Sequence, residues 1–295
     1  MVKARTLERR RRSVRNIRKI TRTMELISTA RFKRAMDRAL AASAYTRRLT
    51  TVLGHLVAAG AEITHSLMQP HNAVKKVVLL VLTSNRGLCG GFNSSILRLA
   101  VGRLRYWRDK AESVRLEVSG KRGISGLKYR GIEVHEKYTH FDARPRFEDV
   151  NTLAERYARE FLTGQIDQVE VVYTKFESAS RQYPVVETLL PLSDFDIGDE
   201  NGVFHRVEYE FLPSPESVVE EIVPTAYKMR LFKCFLDSAA AEQIARMVAM
   251  KTATENADQM LANLSVAYNR ARQTQITSEI LEVVSGAEAL EKQGG

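Results

Sequence analysis

The first 53 residues contain neither glycine nor proline, and neither do the 61 residues from Thr225 to Ser285. With no residue that frees or locks the backbone, nothing inside either stretch ends a helix. Globular helices average about 11–12 residues, so both stretches predict rods, not ordinary helices. At about 1.5 Å per residue, fifty residues of helix reach roughly 75 Å. Cysteine is scarce too: Cys89 and Cys234 are the two in the chain. Their number and wide separation exclude a disulfide scaffold and a cysteine-rich zinc site, and predict free thiols in a reducing compartment. No apolar run approaches the ~18 residues of a membrane span, and VVLLVL (Val77 to Leu82) reads as a buried strand. The basic N-terminus lacks the apolar core of a secretory signal.

What is present is charge, unevenly spread. Met1 to Arg48 carries sixteen Lys/Arg against three Asp/Glu, a net +13, whereas the whole chain is +10. The remainder is therefore slightly acidic, and the basic segment calls for an acidic partner: nucleic acid, anionic lipid or acidic protein loops. A basic helix in a DNA groove is one reading. Single-strand binding by base stacking is not, because Phe32 is the lone aromatic in the first 44 residues.

Apolar residues in the rods recur at helical spacing. Ile17, Ile20, Met24 and Ile27 step by 3, 4, 3, and Ala35, Ala39 and Ala42 continue with smaller side chains. At the other end Ala257, Met260, Leu261, Leu264, Ala267, Tyr268 and Ala271 follow the same rule, extended by Ile276, Ile280, Val283, Val284 and Ala287. Narrow seams rich in alanine predict two helices that approach closely, paired antiparallel as one coiled coil.

The middle alternates strand and helix patterns. Strands are expected at Lys75 to Ser84, Ser113 to Gly120, IEVHEKY, Val169 to Phe176 and Pro184 to Leu192, with helices from Ile96 to about Lys110 and from Phe147 to Leu162. That pattern predicts an α/β middle domain with a Rossmann-like βαβ sheet. The expected layout is an N-terminal coiled-coil helix at 1–60, a linker at 61–74, the α/β domain at 75–192 and a second linker at 193–224. The C-terminal coiled-coil helix follows at 225–290, with a flexible tail at 291–295.

Catalytic constellations are missing. Asn85 to Asn93 is glycine-rich and follows a strand, yet it has neither the lysine and hydroxyl of a P-loop nor a dinucleotide fingerprint. Gly90 and Gly91 are expected to let the backbone turn tightly. A nucleotide-binding enzyme is the third reading. The six histidines, His55, His65, His71, His135, His140 and His205, show no metal-ligand spacing. Glu279 and Glu282, three apart on a helix, read as a solvated face. No catalytic residue, cofactor site or metal site is expected.

Four blocks in order carry a resemblance: SVRNIRKITRTMELIS (Ser13 to Ser28), LTSNRGLCGGFNSS (Leu82 to Ser95), ARMVAMKTATENA with YNRARQ (Ala245 to Ala257, Tyr268 to Gln273), and ITSEILEVVSGAEA (Ile276 to Ala289). Together they resemble the γ subunit of F-type ATP synthase, the central stalk of its rotor. The N-terminal run ELISTARFKRAM, with Thr29 and Phe32, departs from a family that is often richer there in Val and Ala.

The resemblance implies a non-catalytic subunit, present once per complex. Its coil would sit within a ring of three α and three β subunits, and its foot would bind ε and the membrane-embedded c-ring. Ion flow would turn the stalk and drive ATP synthesis or hydrolysis at the β sites, with no nucleic acid and no small-molecule substrate of its own. The contacts it implies are Met24 near an acidic β loop, Arg246 on the second helix near the same region, and Arg272 and Gln273 at the β catch, with Thr277 and Glu279 following. The first block starts at Ser13, too early for a full mitochondrial transit peptide to precede it, so a bacterial or already processed chain is expected, and with it a peripheral subunit on the cytoplasmic face of a bacterial inner membrane.

Overall fold

The computed structural model describes residues 4–58, 65–141, 144–192 and 215–291. Ten elements follow in order: α1 (Ala4–Ala58), β1 (Lys76–Leu82), α2 (Phe92–Lys110), β2 (Ser113–Ser119), α3 (Lys121–Tyr129), β3 (Glu136–Tyr138), α4 (Phe147–Leu162), β4 (Gln168–Phe176), β5 (Gln182–Leu190) and α5 (Pro215–Glu291). They form two compact units, one of Met1–Ile27 with Met247–Gly295 and one of Ser28–Arg246.

In the larger unit the strands run in the order β3-β2-β1-β4-β5. The first four are mutually parallel, and β5 returns antiparallel to β4. Strand β1 is apolar from Val77 to Leu82 because both its faces are covered. Val78, Leu80 and Leu82 pack with Tyr157, Tyr227 and Leu231 from α4 and α5. Leu79 and Val81 face the other way, onto Ile96, Leu97 and Leu127 from α2 and α3. Two carboxylates lie inside this sheet. Glu117 Oε2 accepts from the hydroxyls of Tyr138 and Tyr157 and from Arg156, all at 2.6–2.7 Å. Glu170 accepts from Arg103 and from Trp107 Nε1.

Helix α5 begins at Pro215, so the expected linker at 193–224 is helical in its last ten residues; 193–214 lie outside the described residues. Pro215 fits a first helical position, where no N–H is needed. Pro224 sits inside the helix, at a cost of about 3 kcal/mol. The helix is held there by Val219, Val223, Tyr227 and Leu231, all at 2% exposure or less. Full burial of such side chains contributes about 1.5–3 kcal/mol each, which outweighs the proline. The expected linker at 61–74 is packed where it is described. Leu67 is in the core, and its carbonyl accepts from Leu192 N at 2.8 Å.

α1 and α5 pack in this unit through small residues. Ala35 meets Ala240 beside Phe176, and Ala39 and Ala42 meet Leu236. The smaller unit is an antiparallel coiled coil of the same two helices. Thr21 pairs with Thr254, Arg18 with Asp258, and Arg11 lies 4.8 Å from the ring centre of Tyr268, so the partner number rises as the α1 number falls.

The seam differs from the expected one. On α1 it runs through Leu7, Val14, Thr21 and Ser28, which step by sevens as in a coiled coil, with Arg11 and Met24 beside them. Ile17, Ile20 and Ile27 are 46–58% exposed and form a second stripe beside it. On α5 the seam holds Met250, Thr254, Ala257, Leu261, Leu264, Tyr268 and Ala271, while Met260 and Ala267 face out.

Candidate subunit-contact surfaces

A doubly wound sheet would hold a ligand in a crevice at the carboxyl ends of its strands, such as that past β1 and β2. Here the chain fills it. Lys121 N donates to Asn85 Oδ1 at 3.1 Å, Arg122 N to Ser84 O at 3.0 Å and Gly123 N to Thr83 Oγ1 at 3.0 Å. The amide groups at the start of α3 that could cradle a phosphate are thus already bonded. Asn85 Nδ2 reaches Phe141 O at 2.8 Å, and Phe141 packs on Phe235 of α5. The cavity left between them, lined by Thr83, Ser119, Ser238 and Glu242 among others, is about 30 Å³. That holds about one water, so a nucleotide does not fit.

In the glycine-rich loop the two expected turn glycines part company. Gly90 has φ of 55° and needs the left-handed region, whereas Gly91 has φ of −80° and opens α2. Cys89 is buried with Ser84, and half-buried Asn93 donates from Nδ2 to its sulfur at 3.2 Å. Cys234 is buried as well, and burial holds its thiol well above the usual range. Among the described residues no three His, Cys, Asp or Glu side chains group to hold a metal ion.

Arg246 is 6% exposed and points into its own unit. Its guanidinium donates to Arg86 O at 3.3 Å, Gly87 O at 3.4 Å and Glu242 Oε1 at 2.6 Å. It ties α5 to the glycine-rich loop and offers little surface to another chain.

Met24 lies in the coil unit, half-buried on α1 between Thr23 and Glu25. Beside it runs an open groove of about 630 Å³ lined by Arg18, Lys19, Arg22 and Lys251 as well as Glu25, Glu255 and Asp258. The cations are partly spent inside the chain: Arg18 pairs with Asp258, Arg22 with Glu25, and Arg11 and Arg12 with Glu8. The basic excess of α1 is therefore weaker at its surface than in its sequence.

Arg272, Gln273, Thr277 and Glu279 lie past the last seam residue, Ala271, where no described helix packs against α5. Every residue from 272 to 285 is exposed, a length of about 21 Å. Thr277 Oγ1 donates back to Gln273 O at 3.0 Å, and Glu279 accepts from Gln275 Nε2 at 2.9 Å. Around them Ile276, Ile280, Leu281, Val283 and Val284 are 44–72% exposed. A helix this apolar at its surface is incomplete without a partner. The stripe Ile17, Ile20 and Ile27 is a further exposed apolar surface. Its signal in the sequence was a set of large apolar residues one position off an otherwise small-residue heptad.

The ATP synthase family matches residues 3–290. The ATP synthase gamma chain of Rhodopirellula baltica is 53% identical over 99% of this chain and 100% of its own length. That of Leptospira biflexa is 39% identical over 98% of this chain and 100% of its own. A chain in the Euglena gracilis mitochondrial ATP synthase (OSCP, F1 and c-ring, rotational state 3) has the same fold, with TM-score 0.65 and 16% identity over 97% of this chain and 94% of that one. A chain of the Tetrahymena thermophila mitochondrial central stalk and c-ring gives TM-score 0.56 and 23% identity over 79% and 99%.

Proposed function

The chain belongs to the ATP synthase γ-chain family and is a non-catalytic rotor subunit of the central stalk; on that premise we propose which of its surfaces meet its partners. The free end of α5 enters the ring of three α and three β subunits, and the α/β unit meets ε and the c-ring. One observation carries this reading: a helix end from Arg272 to Ser285 that is exposed along its whole length yet studded with large apolar side chains. Burial in a sleeve of other subunits removes that surface from water.

Met24, Arg272, Gln273, Thr277 and Glu279 are the contacts through which the turning shaft acts on β. Arg246 serves from inside, through the loop it holds. Exposed ion pairs contribute about 0–1 kcal/mol each, so shape and stiffness carry most of the force. Rotation changes which conformation of each β site is favoured, and with it the site's nucleotide affinity. No described helix is long and apolar enough to cross a membrane. The complex sits on the cytoplasmic face of a bacterial inner membrane, and the chain reaches the membrane through its partners.

The test is reconstitution with α and β. The chain alone should hydrolyse no ATP and should co-purify with the hexamer; failure of either overturns the reading. Alanine at Met24, Arg272 and Gln273 together should lower the torque of ATP-driven rotation. Unchanged torque and coupling would assign transmission to the stiffness of the coil alone.

A further inference from the structure

The coil unit contains a buried polar layer. Thr21 of α1 and Thr254 of α5 are each 8% exposed, and their hydroxyl oxygens are 2.8 Å apart. Each hydroxyl has one proton. Thr21 Oγ1 donates to Arg18 O at 3.1 Å, so across the seam it accepts from Thr254. Met250 O, at 2.9 Å, is the alternative acceptor for Thr254. One turn away on both helices, the Arg18 guanidinium pairs with Asp258. Four side chains, two from each helix, thus tie the helices together at one level.

Beyond the Arg11–Tyr268 contact, the rest of the seam is poor at setting register. Ala257 is small, and Val14, Leu261 and Leu264 are half-buried apolar residues that any apolar neighbour would satisfy. Sliding one helix by a heptad puts apolar against apolar again. It also sets Thr21 against Met247 or Leu261, where its hydroxyl has no partner across the seam; the second slide brings Ser28 opposite Thr254 but leaves Thr21 unpaired beside Leu261. The hydrogen bond therefore distinguishes one register from its neighbours, and it sits three residues from Met24 on the same face.

We propose that Thr21 and Thr254 are positioning residues for force transfer, locking the register of α1 against α5 so that Met24 holds a fixed angle about the coil axis. The register lock stands on the geometry; its use in force transfer rests on the rotor reading above. A residue that merely stabilises the coil would lower thermal stability when changed. A register lock behaves oppositely: replacing a polar layer by apolar side chains keeps or raises stability and loses uniqueness.

The experiment uses the full chain carrying spin labels at Arg15 and Asn263, alone and assembled with α, β, ε and the c-ring in liposomes. The wild type should give one narrow label distance. Thr21→Val with Thr254→Val should keep its melting temperature and ATPase rate, broaden or split that distance, and lower proton pumping per ATP hydrolysed. Thr254→Ser should restore the narrow distance and the coupling. A double valine variant with one narrow distance overturns the proposal, whether or not its melting temperature falls. A broadened distance with unaltered coupling overturns force transfer. A chain that does not assemble with α and β overturns the rotor reading, while the label distance still reports the register lock.

Discussion

Arg103 of α2 grips Glu170 of β4 with two hydrogen bonds, Nε at 2.7 Å and Nη2 at 2.6 Å, and Glu170 has no exposed surface. Trp107 Nε1 adds a third donor at 2.9 Å. A carboxylate in a central strand is tolerated here because its charge is matched and its lone pairs are used. Arg103→Met should destabilise the chain by about 3–5 kcal/mol, because it strands a buried charge. Arg103→Met with Glu170→Met should cost less than the single change, although Trp107 then loses its acceptor. Trp107 is the sole tryptophan, so urea unfolding followed by its fluorescence measures this double-mutant cycle.

Gly120 separates β2 from α3 with φ of 102°, and a Cβ there would lie 2.2 Å from Thr83 O. Backbone strain and a clash with backbone act together. Gly120→Ala should therefore cost about 3 kcal/mol or more. Gly91→Ala should stay within about 1 kcal/mol, since only the helix start is affected; its nearest neighbour would be Ser94 Oγ at 3.8 Å. Chemical denaturation of the two variants side by side tests the contrast. Equal losses would mean that the glycine-rich loop is as demanding as the Gly120 turn.

Asp167 binds down the segment before β1. It accepts from the backbone N–H groups of Lys75 and Lys76 at 2.9 and 2.8 Å, and it lies 2.7 Å from Nδ1 of His71, whose ring stacks on Phe161. Burial alone would raise its pKa, but the hydrogen bonds from His71, Lys75 and Lys76 together prevail and hold it below the usual carboxylate range. A depressed folded pKa contributes stability above the unfolded value of about 3.9 and loses it as pH falls through the folded value. Asp167→Asn should lower stability at neutral pH and flatten its acid dependence below about pH 4. A denaturation series from neutral to acid pH reads both effects. An unchanged acid limb would show that Asp167 titrates alike in both states.

Much of this architecture was legible because periodicity reports burial. The apolar run Val77 to Leu82 is a strand covered on both faces, and the rods are helices from Ala4 to Ala58 and from Pro215 to Glu291. The buried acids were not legible: Glu170 and Arg103 are 67 residues apart, and nothing local marks them as a pair. Ile17, Ile20 and Ile27 are large apolar residues of α1, so side-chain size points to a seam one position away from the buried one. The contact between helices uses Thr21, Ser28 and Ala35 instead. This reversal has a measurable consequence. Serine at Ile17, Ile20 and Ile27 should leave the stability of the isolated chain within about 0.5 kcal/mol per site, while weakening assembly with α and β. A large loss of stability in the isolated chain would place the isoleucines in the seam after all.

Arg246 stands where α5 passes the glycine-rich loop, and three acceptors converge on it: Arg86 O, Gly87 O and Glu242. The loop carbonyls have no strand neighbour, and their bonds of 3.3–3.4 Å are long, so each is individually weak. Their value lies in being made by one rigid planar group with 6% exposure. Lysine is a point charge on a flexible stem and does not span all three acceptors. Arg246→Ala should therefore cost about 1.5–3 kcal/mol, and Arg246→Lys should recover only part of it. Hydrogen exchange at the amides from Gly87 to Phe92 should accelerate in both variants and more in alanine. In the assembled synthase the same variants should lower ion pumping per ATP hydrolysed while ATP hydrolysis continues, because Arg246 no longer holds the glycine-rich loop to α5. Full recovery of coupling by lysine would show that charge alone, without the planar fork, holds the loop to α5.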